Sequence, residues 1–244
     1  MTSTAVPQTH QIARSTLIVI VAFGIAKAIS LAQTIIIANV FGVGREWDAY
    51  VTANSIPELI FTLIAGGALA NAFIPVFTGH LAKEDRNGAW RLASHVVNTI
   101  FLVTLILSIA AFFLAPWLVA NVTAPGFTSS QQVETVALMR ILLVSTVIFS
   151  VSGILMGILQ SFNRFLLPAL APILFDVGIL FGVVFLTGSF GVFGIAYGAV
   201  IGAALQSVSN LGAEPALGQR DRLAGDILPV EPGRARRGDL AVDV

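Results

Sequence analysis

Lys27 stands in the middle of an apolar run, IVAFGIAKAISLAQTIIIANVFG, that extends from Ile20 to Gly42. An ionised side chain at the centre of a membrane helix costs about 2.5–3.5 kcal/mol on insertion scales. A lysine there needs either water or a counter-charge. Ser30, Gln33 and Thr34 follow it in the same run. At 100° per residue they lie at roughly 300°, 240° and 340° relative to Lys27, within about one third of the helix circumference. A second run repeats the pattern, with Asp48, Ser55, Glu58, Thr62 and Gly66 within about 80° of one another. Asp176 places one acid inside a later apolar segment.

Two kinds of chemistry fit these residues. Counted at 1.5 Å per residue, Lys27 lies about 18 Å and Asp176 about 16 Å from the inner ends of their helices. That matched depth makes them candidates for an ion pair clamping two helices, with Glu58 a rival about one helical turn nearer the outer face. The alternative is a hydrated cavity whose charges handle a polar substrate or a coupling ion. The candidate cavity residues are Lys27, Gln33, Asp48, Glu58 and Thr62, and the candidate pair or coupling residues are Lys27 and Asp176.

Other chemistries find no support. The absence of cysteine removes disulfides, thiolate metal sites and cysteine nucleophiles. His10, His80 and His95 have no metal-ligand spacing. No Ser-His-Asp arrangement and no nucleic-acid patch are visible. The stretch AGGALANAF has no Lys-Ser/Thr after it, so it reads as close helix packing rather than as a phosphate loop. No cofactor, metal or nucleic acid is expected, and the chain is not expected to be an enzyme.

The elements that must position these residues follow from composition. Of 244 residues, 56% are hydrophobic and only 11% charged, against about a quarter charged in soluble proteins. Apolar stretches of roughly 20 residues, long enough to cross about 30 Å of hydrocarbon, recur along the chain. The fold class is all-α, a polytopic membrane protein with six spans. These are expected at about 15–41, 47–77, 92–120, 136–162, 166–186 and 192–207, inside a transmembrane lobe of residues 15–210.

Residues 1–14 are expected to form a cytoplasmic N-terminal segment. The Lys and Arg distribution (Arg14, Lys83, Arg86, Arg91 and Arg164 on one side, Arg45 on the other, Arg140 just inside the fourth span) places both termini in the cytoplasm. Ala-Lys-Ala at 26–28 resembles a signal-peptidase site, but the apolar run resumes after it and cleavage is not expected. Trp47, Trp90 and Trp117 fall near expected span ends, where interfacial tryptophans belong. Residues 211–244 contain five arginines and six acids but no lysine or aromatic residue. They read as a disordered cytoplasmic tail, or as an out-of-frame translation that has replaced the natural continuation.

Three blocks carry a resemblance: VFGVGREWDAYVTANSIPELIFTLIAGGALANAFIPVF, LAPWLVANVTAPGF and RILLVSTVIFSVSGILMGILQSFNRFLLPALAPILFDVGIL. Together they resemble the MurJ/MviN lipid II flippases of the MOP exporter superfamily, over about residues 15–207. The resemblance implies a V-shaped transporter of two six-helix lobes around a central cavity. It further implies movement of an undecaprenyl-pyrophosphate-linked peptidoglycan precursor across the bacterial plasma membrane by alternating access. This chain matches the first lobe.

It departs from the family pattern at the cavity charges. Where the family's first helix reads like S-R-x-L-G-x-x-R-D, this chain has AKAISLAQT, keeping a positive charge at Lys27 but placing Gln33 and Thr34 at the Arg-Asp pair. In the second helix Phe61 and Thr62 stand at arginine positions and Gly66 at an acid, while Asp48 is retained. Asp176 occupies a position that is commonly Asn. Pyrophosphate recognition favours arginine forks, so a different lipid-linked glycan is a further expectation. The alternatives are a cation-coupled exporter of small molecules using Asp176, and an inactive truncated lobe or scaffold. Implied partners are the lipid-linked glycan, membrane lipids, and either a second copy of the chain or a C-terminal lobe.

Overall fold

The computed structural model describes residues 7–66, 68–162 and 166–212, and the regular structure among them is entirely helical. Helix α1 runs from Pro7 to Phe41, starting eight residues before the expected Ser15. The helix therefore enters the expected N-terminal segment 1–14, with Pro7 at its first position, where a missing N–H costs nothing. Gly42, at a φ of 58°, ends α1 and sends its N–H to the Ala38 carbonyl at 2.9 Å.

Helix α2 spans Arg45–Phe61 and passes into a wider π-type turn at Thr62–Gly66. Helix α3 follows at Ala68–Ala82. Helix α4 covers Arg86–Leu118 and ends in a second π-type turn, Val119–Thr123. Its start is capped by Asp85, whose carboxylate accepts from the Gly88 N–H at 2.9 Å. Helix α5 covers Ser129–Ser161. It begins seven residues earlier than expected because the Thr128 N–H is satisfied by Gln131 Oε1 at 3.3 Å, half of a capping box. Helix α6 (Leu166–Phe181), a third π-type turn (Gly182–Leu186) and the short α7 (Thr187–Phe190) make one continuous stretch. Helix α8 covers Phe193–Gly212.

Among the described residues four helical stretches are long and apolar enough by themselves to cross a bilayer: Ile20–Phe41, Arg86–Thr123, Ser129–Ser161 and Pro168–Phe190. The other two expected spans differ. The second is divided into α2 and α3 by the π-type turn, and the sixth, α8, carries Gln206, Ser207 and Asn210 toward its end. Residues 213–244, and with them nearly all of the expected tail, lie outside the described residues, as does Arg164.

Helix α5 is the central rod, packing against α2, α3, α4 and α8. Small residues on α2 (Ala49, Ala53) and α4 (Ala115) meet Leu138, Met139 and Leu142 of α5 and Ile195 of α8 in one core. A second core joins Phe73 and Phe77 of α3 to Ile100 of α4 and Ile158 of α5. Large apolar side chains remain exposed along the helices, such as Leu31 on α1, Phe113 on α4 and Phe185 after α6, as lipid-facing surfaces require.

Lipid tails are as apolar as leucine, so helices associate in membranes through close packing and interhelical hydrogen bonds. Both occur here. Gly178 and Gly182 of the α6 stretch face Gly194, Gly198 and Gly202 of α8, and a Cβ at Gly178 would lie 2.3 Å from the Gly202 Cα. On the other side of α8, Asn210 Nδ2 donates to Ser152 Oγ of α5 at 2.7 Å, with both residues buried.

Candidate functional site

The side of α1 that packs is a narrow stripe: Ala22, Ala26, Gln33 and Ile37 are buried, at the spacing of one helix face. That stripe lies against α6. Gln33 therefore belongs to the packed face, Ser30 is half-buried at its margin, and Lys27 and Thr34 are exposed beyond it. The Thr34 hydroxyl donates back to the Ser30 carbonyl at 2.9 Å, which satisfies it within its own helix.

The polar residues of α2 lie on the opposite side from its packed face. Ala49, Ala53, Pro57 and Ile60 are buried against the core, whereas Asp48, Ser55, Glu58 and Thr62 are all exposed. By helical geometry the two sets are centred about 170° apart. Asn54 Nδ2 donates to Glu58 Oε2 at 3.4 Å and the Ser55 hydroxyl to the Thr52 carbonyl at 2.7 Å. Among the described residues no side chain from another helix reaches this stripe through a hydrogen bond or an ion pair.

Helices α1 and α2 share a turn of three residues, Gly42–Gly44, yet diverge from it, α1 to α6 and α2 to α5. Their polar sides therefore do not pack on one another. Asp176 is half-buried on α6, the helix against which α1 lies, and the Lys27 ammonium acts electrostatically on its carboxylate. Among the described residues no salt bridge joins the two. Lys27 and Asp176 are thus neighbours across the α1–α6 contact without a direct bond. Glu58 stands on α2, and its hydrogen-bond partner is Asn54 rather than Lys27.

The residues that could hold a metal do not gather: no group of three or more His, Asp or Glu side chains is found among the described residues. The arrangement instead offers two exposed polar stripes on otherwise apolar helices, one bearing a cation and the other two carboxylates. Such stripes are costly against lipid and require water or a polar partner.

Comparison with known proteins decides what kind of protein carries them. A profile described as "Lipid II flippase MurJ" matches residues 37–222. The chain belongs to the MurJ lipid II flippase family. Among curated MurJ relatives, a lipid II flippase MurJ from Burkholderia cenocepacia is 28% identical over 217 residues, which are 87% of this chain and 41% of that protein. A probable lipid II flippase MurJ from Buchnera aphidicola is 26% identical over 191 residues, or 77% of this chain and 37% of the relative. A solved structure of a lipid II flippase MurJ in an inward closed conformation superposes with a TM-score of 0.69 at 26% identity, covering 81% of this chain and 41% of that one. The chain thus spans about two fifths of the length of these MurJ relatives.

Three features of this MurJ-family chain escaped the sequence reading. The first is the glycine contact between α6 and α8, signalled by the four-residue spacings Gly178–Gly182 and Gly194–Gly198–Gly202. The second is the buried polar pair Ser152–Asn210, with Gln206 one turn earlier on the same face of α8. The third is the contact of Arg140 with Phe112, which lies on a different helix; no local pattern signals it.

Proposed function

We propose that this chain works as one lobe of a flippase-type transporter in the bacterial plasma membrane. It moves an undecaprenyl-pyrophosphate-linked peptidoglycan precursor, or a related lipid-linked glycan, by alternating access. The observation that carries this reading is the α2 stripe of Asp48, Ser55, Glu58 and Thr62, exposed on the side away from the packed core. In a membrane such a stripe is supported by a hydrated cavity. The MurJ family membership supports the cargo class.

In this reading Lys27 attracts the phosphate, Asp48 and Glu58 shape the cavity, and Gln33 anchors the polar edge of α1 against α6. Thr62, at the start of the π-type turn, sits where helix irregularity often marks function. Both termini face the cytoplasm. The opposite wall of the cavity comes from a second copy of the chain or from a C-terminal lobe. The cargo is moved without covalent change, so the chain is a transporter and not an enzyme.

A second reading, cation-coupled export of a small molecule, draws on the position of Asp176 beside Lys27. One experiment separates them. A bacterium depleted of its own flippase is supplied with the wild-type chain or with Lys27→Ala, and survival and lipid II exposure are scored after membrane insertion is verified. Rescue by the wild type and failure of Lys27→Ala supports flipping through Lys27. No rescue by an inserted protein refutes flipping of this cargo by the chain alone. Transport of a small molecule that depends on pH and is lost in Asp176→Asn would favour the second reading.

A further inference from the structure

A groove of roughly 400 Å³ runs between α4 and α5 and contains none of the polar-stripe residues. Leu105, Ile109, Val144 and Val147 form its apolar walls, and Arg140 closes one end. Arg140 is held in place: its Nε donates to the Phe112 carbonyl at 3.3 Å, and its guanidinium carbon lies 4.8 Å from the centre of the Phe112 ring. A guanidinium has five N–H donors. Among the described residues Arg140 has no carboxylate partner, so its charge meets only the Phe112 ring and carbonyl there, and most of its donor capacity is left over.

The depth of the groove suits a lipid. Trp117, 58% exposed and of the residue type that marks the membrane interface, lies five residues beyond Phe112, or about 7.5 Å along α4. The Arg140 head therefore sits just below the headgroup layer, within the reach of a snorkelling side chain. From Phe112 the groove extends toward Leu105, about 10 Å deeper. Ser108 lines this stretch, and its hydroxyl is buried with no hydrogen-bond partner. A small side chain there leaves room that a leucine would fill.

We propose that the α4–α5 groove is a binding site for an anionic phospholipid of the phosphatidylglycerol class. The phosphate takes the free N–H groups of Arg140, and one acyl chain lies along Leu105, Ile109, Val144 and Val147. Charge decides the headgroup, because an unmatched cation at the groove mouth favours a lipid with net negative charge over a zwitterionic one. The apolar walls decide the rest, since free phosphate would leave them empty and a docked apolar helix would leave the guanidinium without an anion.

The test is native mass spectrometry of the full chain in mild detergent, titrated with phosphatidylglycerol and with phosphatidylcholine of identical acyl chains. The expected result is preferential retention of phosphatidylglycerol. Arg140→Gln should weaken it about tenfold or more, as loss of a charge-assisted contact does, while Arg140→Lys retains most of it. Ile109→Trp, which fills the groove from an exposed position, should reduce retention without disturbing the fold, with helicity checked by circular dichroism. Equal retention of the two lipids by the wild type would overturn the headgroup assignment. Undiminished phosphatidylglycerol binding in either Arg140→Gln or Ile109→Trp would overturn the site. Should Arg140→Gln fail to fold, Arg140→Lys and Ile109→Trp decide alone.

Discussion

Gly178 on α6 and Gly202 on α8 approach so closely that a Cβ on the first would stand 2.3 Å from the Cα of the second. No side chain fits between the two backbones. Gly198 repeats the contact one turn away, where a Cβ would come within 2.7 Å of the Gly178 carbonyl oxygen.

Gly178→Val should therefore separate α6 from α8. The expected loss is about 1–3 kcal/mol or more, the usual range for overpacking a filled interface. Thermal unfolding in detergent measures it. Gly188→Ala is the control, because a Cβ there meets nothing within 4 Å; an equal loss in both variants would refute close packing as the cause.

Asn210 and Ser152 give a second, independent link between α8 and α5. Their 2.7 Å hydrogen bond is buried, and interhelical hydrogen bonds in membranes contribute about 0.6 kcal/mol on average, up to about 1.7. A double-mutant cycle with Asn210→Ala and Ser152→Ala should return a coupling in that range. A coupling of zero would mean that each group finds another partner when the first is removed.

Lys27 and Asp176 should couple weakly. They interact through space without a salt bridge, and Lys27 is exposed. Lys27→Ala is expected to change stability by less than about 0.5 kcal/mol, as exposed positions usually do, while impairing transport. A loss of several kcal/mol would instead assign Lys27 to a structural clamp.

The α2 stripe predicts a labelling pattern that the natural absence of cysteine makes simple to read. Ser55→Cys and Glu58→Cys should react with a membrane-impermeant maleimide in intact membranes, because both positions are exposed on a surface expected to be wet. Ala53→Cys, at 0% exposure, should not. Protection of Ser55→Cys and Glu58→Cys alike would place the stripe against lipid or protein and remove the cavity.

The loop before α4 carries a pH dependence outside the membrane. The Asp85 carboxyl is held below its ordinary value by the Gly88 N–H that it accepts and by His80, whose Nδ1 lies 3.0 Å from it. A carboxyl with a lowered folded-state pKa stabilises above its unfolded pKa of about 3.9, and that contribution disappears as pH falls through the lower folded value. Hydrogen-exchange protection at Gly88 should therefore hold at neutral pH and fall below about pH 4. Asp85→Asn should remove that pH dependence; an unchanged profile would show that the cap does not govern the start of α4.

Much of the candidate site was legible because helical periodicity is local. The spacing of Asp48, Ser55, Glu58 and Thr62 places them on one face whatever the helix packs against, and the structure puts that face outward. Gln33 was harder. Its spacing groups it with Lys27, but it lies within the stripe that packs on α6, and it is 8% exposed. A polar face and a packed face can share a border, and only the neighbouring helix decides on which side a border residue falls. The expected second span shows another limit, since the π-type turn at Thr62–Gly66 divides it and hydropathy has no register for such a turn.

What the sequence by itself determined was the class of protein and the polar faces, since apolar run length and the 3.6-residue repeat depend only on neighbours along the chain. Tertiary structure alone decided which helix meets which. It sent α1 to α6 and α2 to α5 from a shared turn, set Lys27 beside Asp176 without bonding them, and brought Arg140 to Phe112 across 28 positions. The physical reason is that partner choice in a membrane rests on shape. Every apolar face is equally at home in lipid, so glycine gaps and a few buried polar groups, scattered far apart in sequence, select the contacts that form.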